Sequence, residues 1–133
     1  RLRPLDDGRG MAGVADGAIL AALVGPLAEP GALEAVQACM ARVPEAAYRA
    51  AVHCITTFER RAELGAIGVP TLVIAGEVDP NAPAPMMERM AAKIPGARFV
   101  CMAGTGHFGN LERPDEFNTL VAGFIEQARG ALP

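Results

Sequence analysis

Two groups capable of proton transfer follow two apolar segments in the second half of the chain. Gly76-Glu77-Val78-Asp79 closes the first segment, and Gly104-Thr105-Gly106-His107 closes the second. If both segments are parallel strands, their carboxyl ends lie side by side, at the crevice where such sheets bind ligands. A carboxylate beside an imidazole fixes the tautomer of the ring and stabilises the imidazolium formed during catalysis. Asp79 and His107 are therefore the candidate acid and base.

A nucleophile to accompany this pair is missing. No Gly-x-Ser-x-Gly turn occurs, and the chain contains no serine at all. Thr, Tyr and Cys supply its only hydroxyls and thiols. Cys101 stands between two apolar neighbours, which indicates a strand residue rather than a catalytic thiol. Beside the candidate acid and base, Val78 and Phe108 are expected to line a pocket.

Composition limits the classes of function. The chain has 133 residues, enough for one ordinary domain, and its 51% hydrophobic and 20% charged residues exclude a disordered protein. The net charge of −3, without a basic block, gives no reason to expect nucleic acid or a membrane as a partner. Three cysteines without a CxxC pair fit reduced thiols, so we expect a cytoplasmic protein.

The two halves of the sequence differ in their hydrophobic patterns. Residues 11–67 show helical spacing only, with Asp16 expected to cap a first helix, Pro30-Gly31 to open a second and Pro44 a third. From Val69 the pattern changes to a β-branched strand, a helix, a second strand at 97–102 and a last helix from Pro114. This order with short connections predicts an α/β fold with a parallel sheet.

Two strands are too few for a stable parallel sheet, because its faces and edges would stay open. No other segment of the sequence predicts a strand. We therefore expect either an N-terminal portion of the same enzyme or a second copy of this chain, forming a homodimer, to complete the sheet. The chain begins at Arg1 rather than Met, which led us to expect a piece of a longer protein.

These motifs resemble the α/β-hydrolase fold. The segment from Val69 to Pro80 is similar to the seventh strand and acid loop of that family, and the segment from Ile94 to His107 is similar to its eighth strand and histidine loop. The run from Asn110 to Phe117 resembles the lead into its final helix. Residues 1–64 resemble the helical cap that this fold inserts over its active site, and residues 65–133 the C-terminal part of the core. In detail the cap is most similar to the 3-oxoadipate enol-lactonase branch.

The resemblance implies the C-terminal portion of a serine-type hydrolase that cleaves a small-molecule ester or lactone. Asp79 and His107 would be the acid and base of a Ser-His-Asp triad, and the serine would lie in a segment before Arg1. No metal and no organic cofactor are implied. Three alternatives stay open: a parent enzyme with an aspartate nucleophile, as in epoxide hydrolases and dehalogenases; a cofactor-free haloperoxidase; or a non-catalytic binding or assembly module.

Overall fold

A computed structural model describes residues 1–130 as a helical half followed by a small parallel sheet with its helices. The helices are α1 (Arg3–Asp6), α2 (Gly10–Ala15), α3 (Ala18–Ala21), α4 (Ala32–Ala41), α5 (Glu45–Thr57), α6 (Ala84–Ala91), α7 (Gly109–Glu112) and α8 (Pro114–Gly130), with a 3₁₀ helix at Arg61–Ala66. The strands are β1 (Leu72–Gly76) and β2 (Arg98–Met102). The last three residues of the predicted 65–133 segment lie outside the described part.

The sheet has the predicted form. β1 and β2 pair in parallel, with Leu72 opposite Arg98 and Gly76 opposite Met102. α6 forms the connection between them, and the two strands therefore end at the same edge. Within residues 1–130, β2 is the only strand that pairs with β1, so the other edge of β1 stays open.

The helical half confirms two of the three predicted helix starts. α4 follows Pro30-Gly31, where Gly31 adopts the left-handed φ of 88°, and α5 follows Pro44. The prediction for Asp16 is wrong, because Asp16 ends α2 and Gly17 precedes α3. Within the described residues no helix is both long and apolar enough to cross a membrane.

Two clusters of buried side chains hold the helical half together. Leu5, Met11 and Val14 form the first, and Leu20, Leu23 and Val36 form the second. The second also contacts Phe108 and Leu111, which follow β2. Hydrophobic burial thus fixes the helical half against the loop that carries His107.

The side chain of Glu112 is fully buried between two backbone segments. We call residues 23–29 the strap and residues 103–108 the histidine loop. One carboxylate oxygen of Glu112 accepts N–H bonds from Gly25 of the strap and Gly106 of the histidine loop, both at 2.8 Å. The other oxygen accepts the N–H of Phe108 at 2.9 Å. Three amide donors on one carboxylate satisfy a charge that would otherwise be costly to bury.

The strap also bonds directly to the histidine loop. The His107 N–H donates to the Leu23 carbonyl at 2.7 Å, and the Leu27 N–H donates to the Gly104 carbonyl at 3.3 Å. The backbones lie so close that a Cβ at Gly25 would overlap the carbonyl oxygen of Gly104. Glycine is therefore required at this position for steric reasons.

Replacing Glu112 by glutamine is expected to destabilise the fold. An amide group cannot accept on both sides, so Glu112→Gln leaves at least one buried N–H facing a second donor, at a cost of about 1–3 kcal/mol. Chemical unfolding in urea measures this change in free energy. Glu116→Gln is the matched control, because Glu116 makes only an exposed ion pair with Arg113. Equal unfolding midpoints for the two variants would contradict a structural role for the buried carboxylate.

Candidate active site

Asp79 and His107 meet where the two strands end. His107 Nδ1 lies 2.7 Å from Asp79 Oδ2. The Asp79 side chain is 5% exposed and that of His107 is 39% exposed, so a buried carboxylate supports an accessible ring. Because the carboxylate can only accept, Nδ1 carries the proton, and in the neutral ring Nε2 keeps its lone pair for accepting another.

The surroundings of Asp79 favour its charged form. Burial raises the pKa of this carboxyl group, but the hydrogen bond with His107 and the backbone N–H groups of Asn81 and Ala82 more than offset burial and lower it from its ordinary value. The Asn81 N–H bond to Asp79 Oδ1 measures 2.8 Å. An ionised Asp79 therefore accepts the Nδ1–H of His107 and orients the ring.

Hydrogen bonds join the histidine loop to residues 77–82, which we call the acid loop. The Val78 N–H donates to the Thr105 carbonyl at 3.1 Å, and the carboxylate of Glu77 accepts the Gly104 N–H at 2.8 Å. Gly104 adopts a φ of +63°, which is favourable only for glycine, and so turns the chain back towards β1. These contacts fix the distance between the candidate acid and base.

A cavity of about 350 Å³ lies beside His107, under the helical half. Phe108 lines it and packs edge-on to the His107 ring with centroids 5.3 Å apart. Val78 does not line it; its side chain is 45% exposed.

Sequence reasoning missed three residues of this site. Tyr48 of α5 and Asn81 of the acid loop both line the cavity. The sequence carries a signal for each of these two residues. Tyr48 belongs to an apolar helical stripe, and Asn81 follows the candidate acid by two positions. Glu112 had a weaker signal, a lone acidic residue just after a glycine-rich loop.

Two further groups of residues bear on thiol and metal chemistry. Partial burial and the carboxylates of Glu77 and Glu88 raise the pKa of the Cys101 thiol, which disfavours a reactive thiolate. Among residues 1–130 no group of three His, Cys, Asp or Glu side chains is placed to hold a metal ion. The site as described is an acid–base pair beside an apolar cavity.

The lowered pKa of Asp79 predicts a specific loss of stability in acid. A carboxyl group whose folded pKa lies below its unfolded value contributes stability above the unfolded pKa, and this contribution falls as the pH drops through the folded pKa. The difference in unfolding free energy between the native chain and Asp79→Asn should therefore shrink from about pH 6 to about pH 3. Urea unfolding at a series of pH values measures it.

The control for this experiment is Asp16→Asn, because Asp16 is exposed at the end of α2. Its difference from the native chain should change little over the same range. A pH-independent difference for Asp79→Asn would contradict the hydrogen-bonded, ionised state of Asp79.

Known proteins are similar to this chain in sequence and in structure. The family model described as "Alpha/beta hydrolase family" matches residues 2–120. 3-Oxoadipate enol-lactonase 1 of Acinetobacter baylyi is 30% identical over 87 residues, covering 65% of this chain and 32% of that protein. A putative carbamate hydrolase, RutD, of Pseudomonas savastanoi pv. phaseolicola is 32% identical over 74 residues, covering 56% of this chain and 29% of that protein.

Solved structures agree with the sequence relatives. The enol-lactonase from Burkholderia xenovorans LB400 superposes with a TM-score of 0.77 at 29% identity, covering 87% of this chain and 45% of that one. The chain thus spans less than half the length of these proteins. The predicted resemblance is confirmed, including its enol-lactonase likeness. With the family model extending over most of its length, this chain belongs to the alpha/beta hydrolase family.

Proposed function

We propose that this chain is the C-terminal portion of a serine-type α/β hydrolase that cleaves an ester or lactone bond. The observation that carries the proposal is the 2.7 Å contact between His107 Nδ1 and Asp79 Oδ2 at the ends of two parallel strands. In this family such a pair serves a nucleophile held on another strand. This chain contains no serine, so the nucleophile would come from outside it.

The roles of the two residues follow from their protonation. His107 Nε2 would take the proton of the attacking serine and return it to the leaving oxygen. Asp79 would hold Nδ1–H in place and stabilise the imidazolium formed between these steps. Backbone amides of the missing portion would hold the oxyanion. Both proton transfers use Nε2 of His107, which follows the end of β2.

The open edge of β1 supports a partner that completes the sheet. We propose the N-terminal portion of the same enzyme as this partner, with a second copy of the chain as the other candidate. An unpaired, apolar strand edge favours association over a monomer.

Exposed thiols at Cys39, Cys54 and Cys101, none in a disulfide, support a cytoplasmic location.

The relatives support a small ester-like substrate. Two of the matching proteins are named as enol-lactonases, and a third match, a solved structure at 29% identity with a TM-score of 0.72, is titled as an N-acyl homoserine lactone degrading enzyme. Lactones and esters share the carbonyl that a serine attacks. We therefore propose this bond class for the whole enzyme.

The test uses the longer protein encoded with the residues that precede Arg1. That protein should hydrolyse p-nitrophenyl acetate, and Asp79→Asn should lower kcat by about 10⁴-fold, the size seen when the acid of such a triad is neutralised. His107→Ala should lower it at least as much. The matched control is His53→Ala, because His53 is the only other histidine and is exposed on α5.

Three results would overturn the proposal. They are no turnover of esters or lactones by the longer protein, full activity in His107→Ala, or turnover by the 133-residue chain alone. A fluorophosphonate probe separates the nucleophiles, because it labels an activated serine and leaves an aspartate enzyme unlabelled. A haloperoxidase would keep the serine and show halide oxidation instead.

A further inference from the structure

Three consecutive backbone amides surround the candidate base, and each has a defined acceptor. The Gly106 N–H donates to Glu112 Oε2 at 2.8 Å, and the Phe108 N–H donates to Glu112 Oε1 at 2.9 Å. Between them, the His107 N–H donates to the Leu23 carbonyl at 2.7 Å. Backbone N–H groups that point together at one anion form a concave binding site, and here the chain fills that site with its own carboxylate.

The bond between His107 and the strap depends on the same carboxylate. Gly25 of the strap, two positions after Leu23, donates its N–H to Glu112 Oε2 at 2.8 Å. The strap is bound a second time by the Glu29 N–H, which donates to the backbone carbonyl of Glu112 at 2.8 Å. Glu112 thus holds two of the three amides directly, and it holds the strap that accepts the third.

Contacts with the acid loop hold the beginning of the histidine loop and the ring itself. The Glu77 carboxylate accepts the Gly104 N–H at 2.8 Å, and Asp79 contacts the His107 ring at 2.7 Å. The backbone next to that ring is held by Glu112, whose side chain is fully buried. If this backbone moves, the ring moves with it while Asp79 stays on its own loop, and a hydrogen bond weakens steeply as its angle falls.

We propose that Glu112 is a positioning residue for the acid–base pair. Its carboxylate fixes the backbone on both sides of His107, so that Nδ1–H stays on Asp79 and Nε2 presents its lone pair to the nucleophile. The role of Nε2 rests on the proposed hydrolase function, whereas the effect on the ring does not. Glu112 acts through backbone amides and does not line the cavity beside His107. Its loss should therefore lower kcat more than it changes KM.

The first experiment follows the ring nitrogens of the two histidines in the 133-residue chain, labelled with ¹⁵N-histidine. At about pH 8.5, above the ordinary pKa of histidine, the ¹⁵N shifts report which ring nitrogen carries the proton. His107 should favour Nδ1–H by at least about tenfold, as expected for a hydrogen bond to a charged group. In Glu112→Gln this preference should fall towards that of His53, which is exposed on α5 and serves as the internal reference.

Leu5→Ala is the control for lost stability. Leu5 is buried in the first cluster of the helical half, and its truncation leaves a cavity that destabilises the fold. This variant should keep the native preference of His107 for Nδ1–H although it unfolds at a lower urea concentration. A fall of the same size in Leu5→Ala and Glu112→Gln would overturn the proposal, because lost stability alone would then disturb the ring.

Glu112→Asp keeps the test decisive if the glutamine variant does not fold. It retains the charge, but its side chain is one methylene group shorter and cannot reach all three amides at 2.8–2.9 Å. Its preference for Nδ1–H of His107 should lie between the native value and that of His53. A native preference in either folded Glu112 variant, or no preference in the native chain, would overturn the proposal.

The second experiment measures kinetics in the longer protein with p-nitrophenyl acetate. Glu112→Gln should lower kcat by at least about tenfold, because a misplacement of about 1 Å can cost roughly 10²-fold. KM should change less than about threefold, and Leu5→Ala should keep both constants near their native values. Native kcat in Glu112→Gln, or a loss confined to KM, would overturn the proposal. If the longer protein hydrolyses no ester or lactone, the hydrolase proposal fails, whereas the ring tautomer in the 133-residue chain still decides the role of Glu112.

Discussion

The buried carboxylate of Glu112 is the interaction on which the rest of the site depends. It joins the strap to the histidine loop through the N–H groups of Gly25, Gly106 and Phe108. Two of these donors flank His107 in the sequence. A carboxylate without water around it cannot exchange its partners for solvent, so its three bonds set the backbone path on both sides of the candidate base.

The backbone of the histidine loop sets the geometry of the Asp79–His107 pair. The parallel register of β1 and β2 brings the acid loop and the histidine loop together, and Gly104 allows the turn between them. No further charged side chain is needed to hold Asp79 and His107 in contact. Local backbone hydrogen bonds position Asp79 and His107. The Asp79 carboxylate is buried, and its side-chain hydrogen-bond partner is the His107 ring.

The sequence predicted the elements whose signal is local. The β-branched run into β1, Pro44 before α5 and Pro114 in the first turn of α8 all lie within short windows, and the structure agrees with them. Asp16 failed because α2 is a separate helix, held by the burial of Met11 and Val14 rather than by propensity. Tertiary contacts decide such short elements.

The partners of Glu112 were beyond sequence reasoning for a different reason. Gly25 is 87 positions away, and it contributes a backbone amide rather than a side chain, so no pattern of residue types reveals the contact. Val78 shows the same limit on a smaller scale. Its N–H donates to the Thr105 carbonyl, a backbone contact that alternation of residue types cannot show.

The strap and α5, two parts of the helical half near His107, are held in place by interactions of different kinds. At the strap, bonds shielded from water join it to the loop that carries the base. At α5 no residue is buried, and the ion pairs of Arg49 with Asp6 and Glu45 are exposed to solvent. Separating α5 from its neighbours would break polar contacts that water can replace. Separating the strap would leave the N–H groups of Gly25, Leu27 and His107 without their acceptors. Of the contacts that hold the helical half over the ring of His107, those of α5 are therefore the most accessible to solvent.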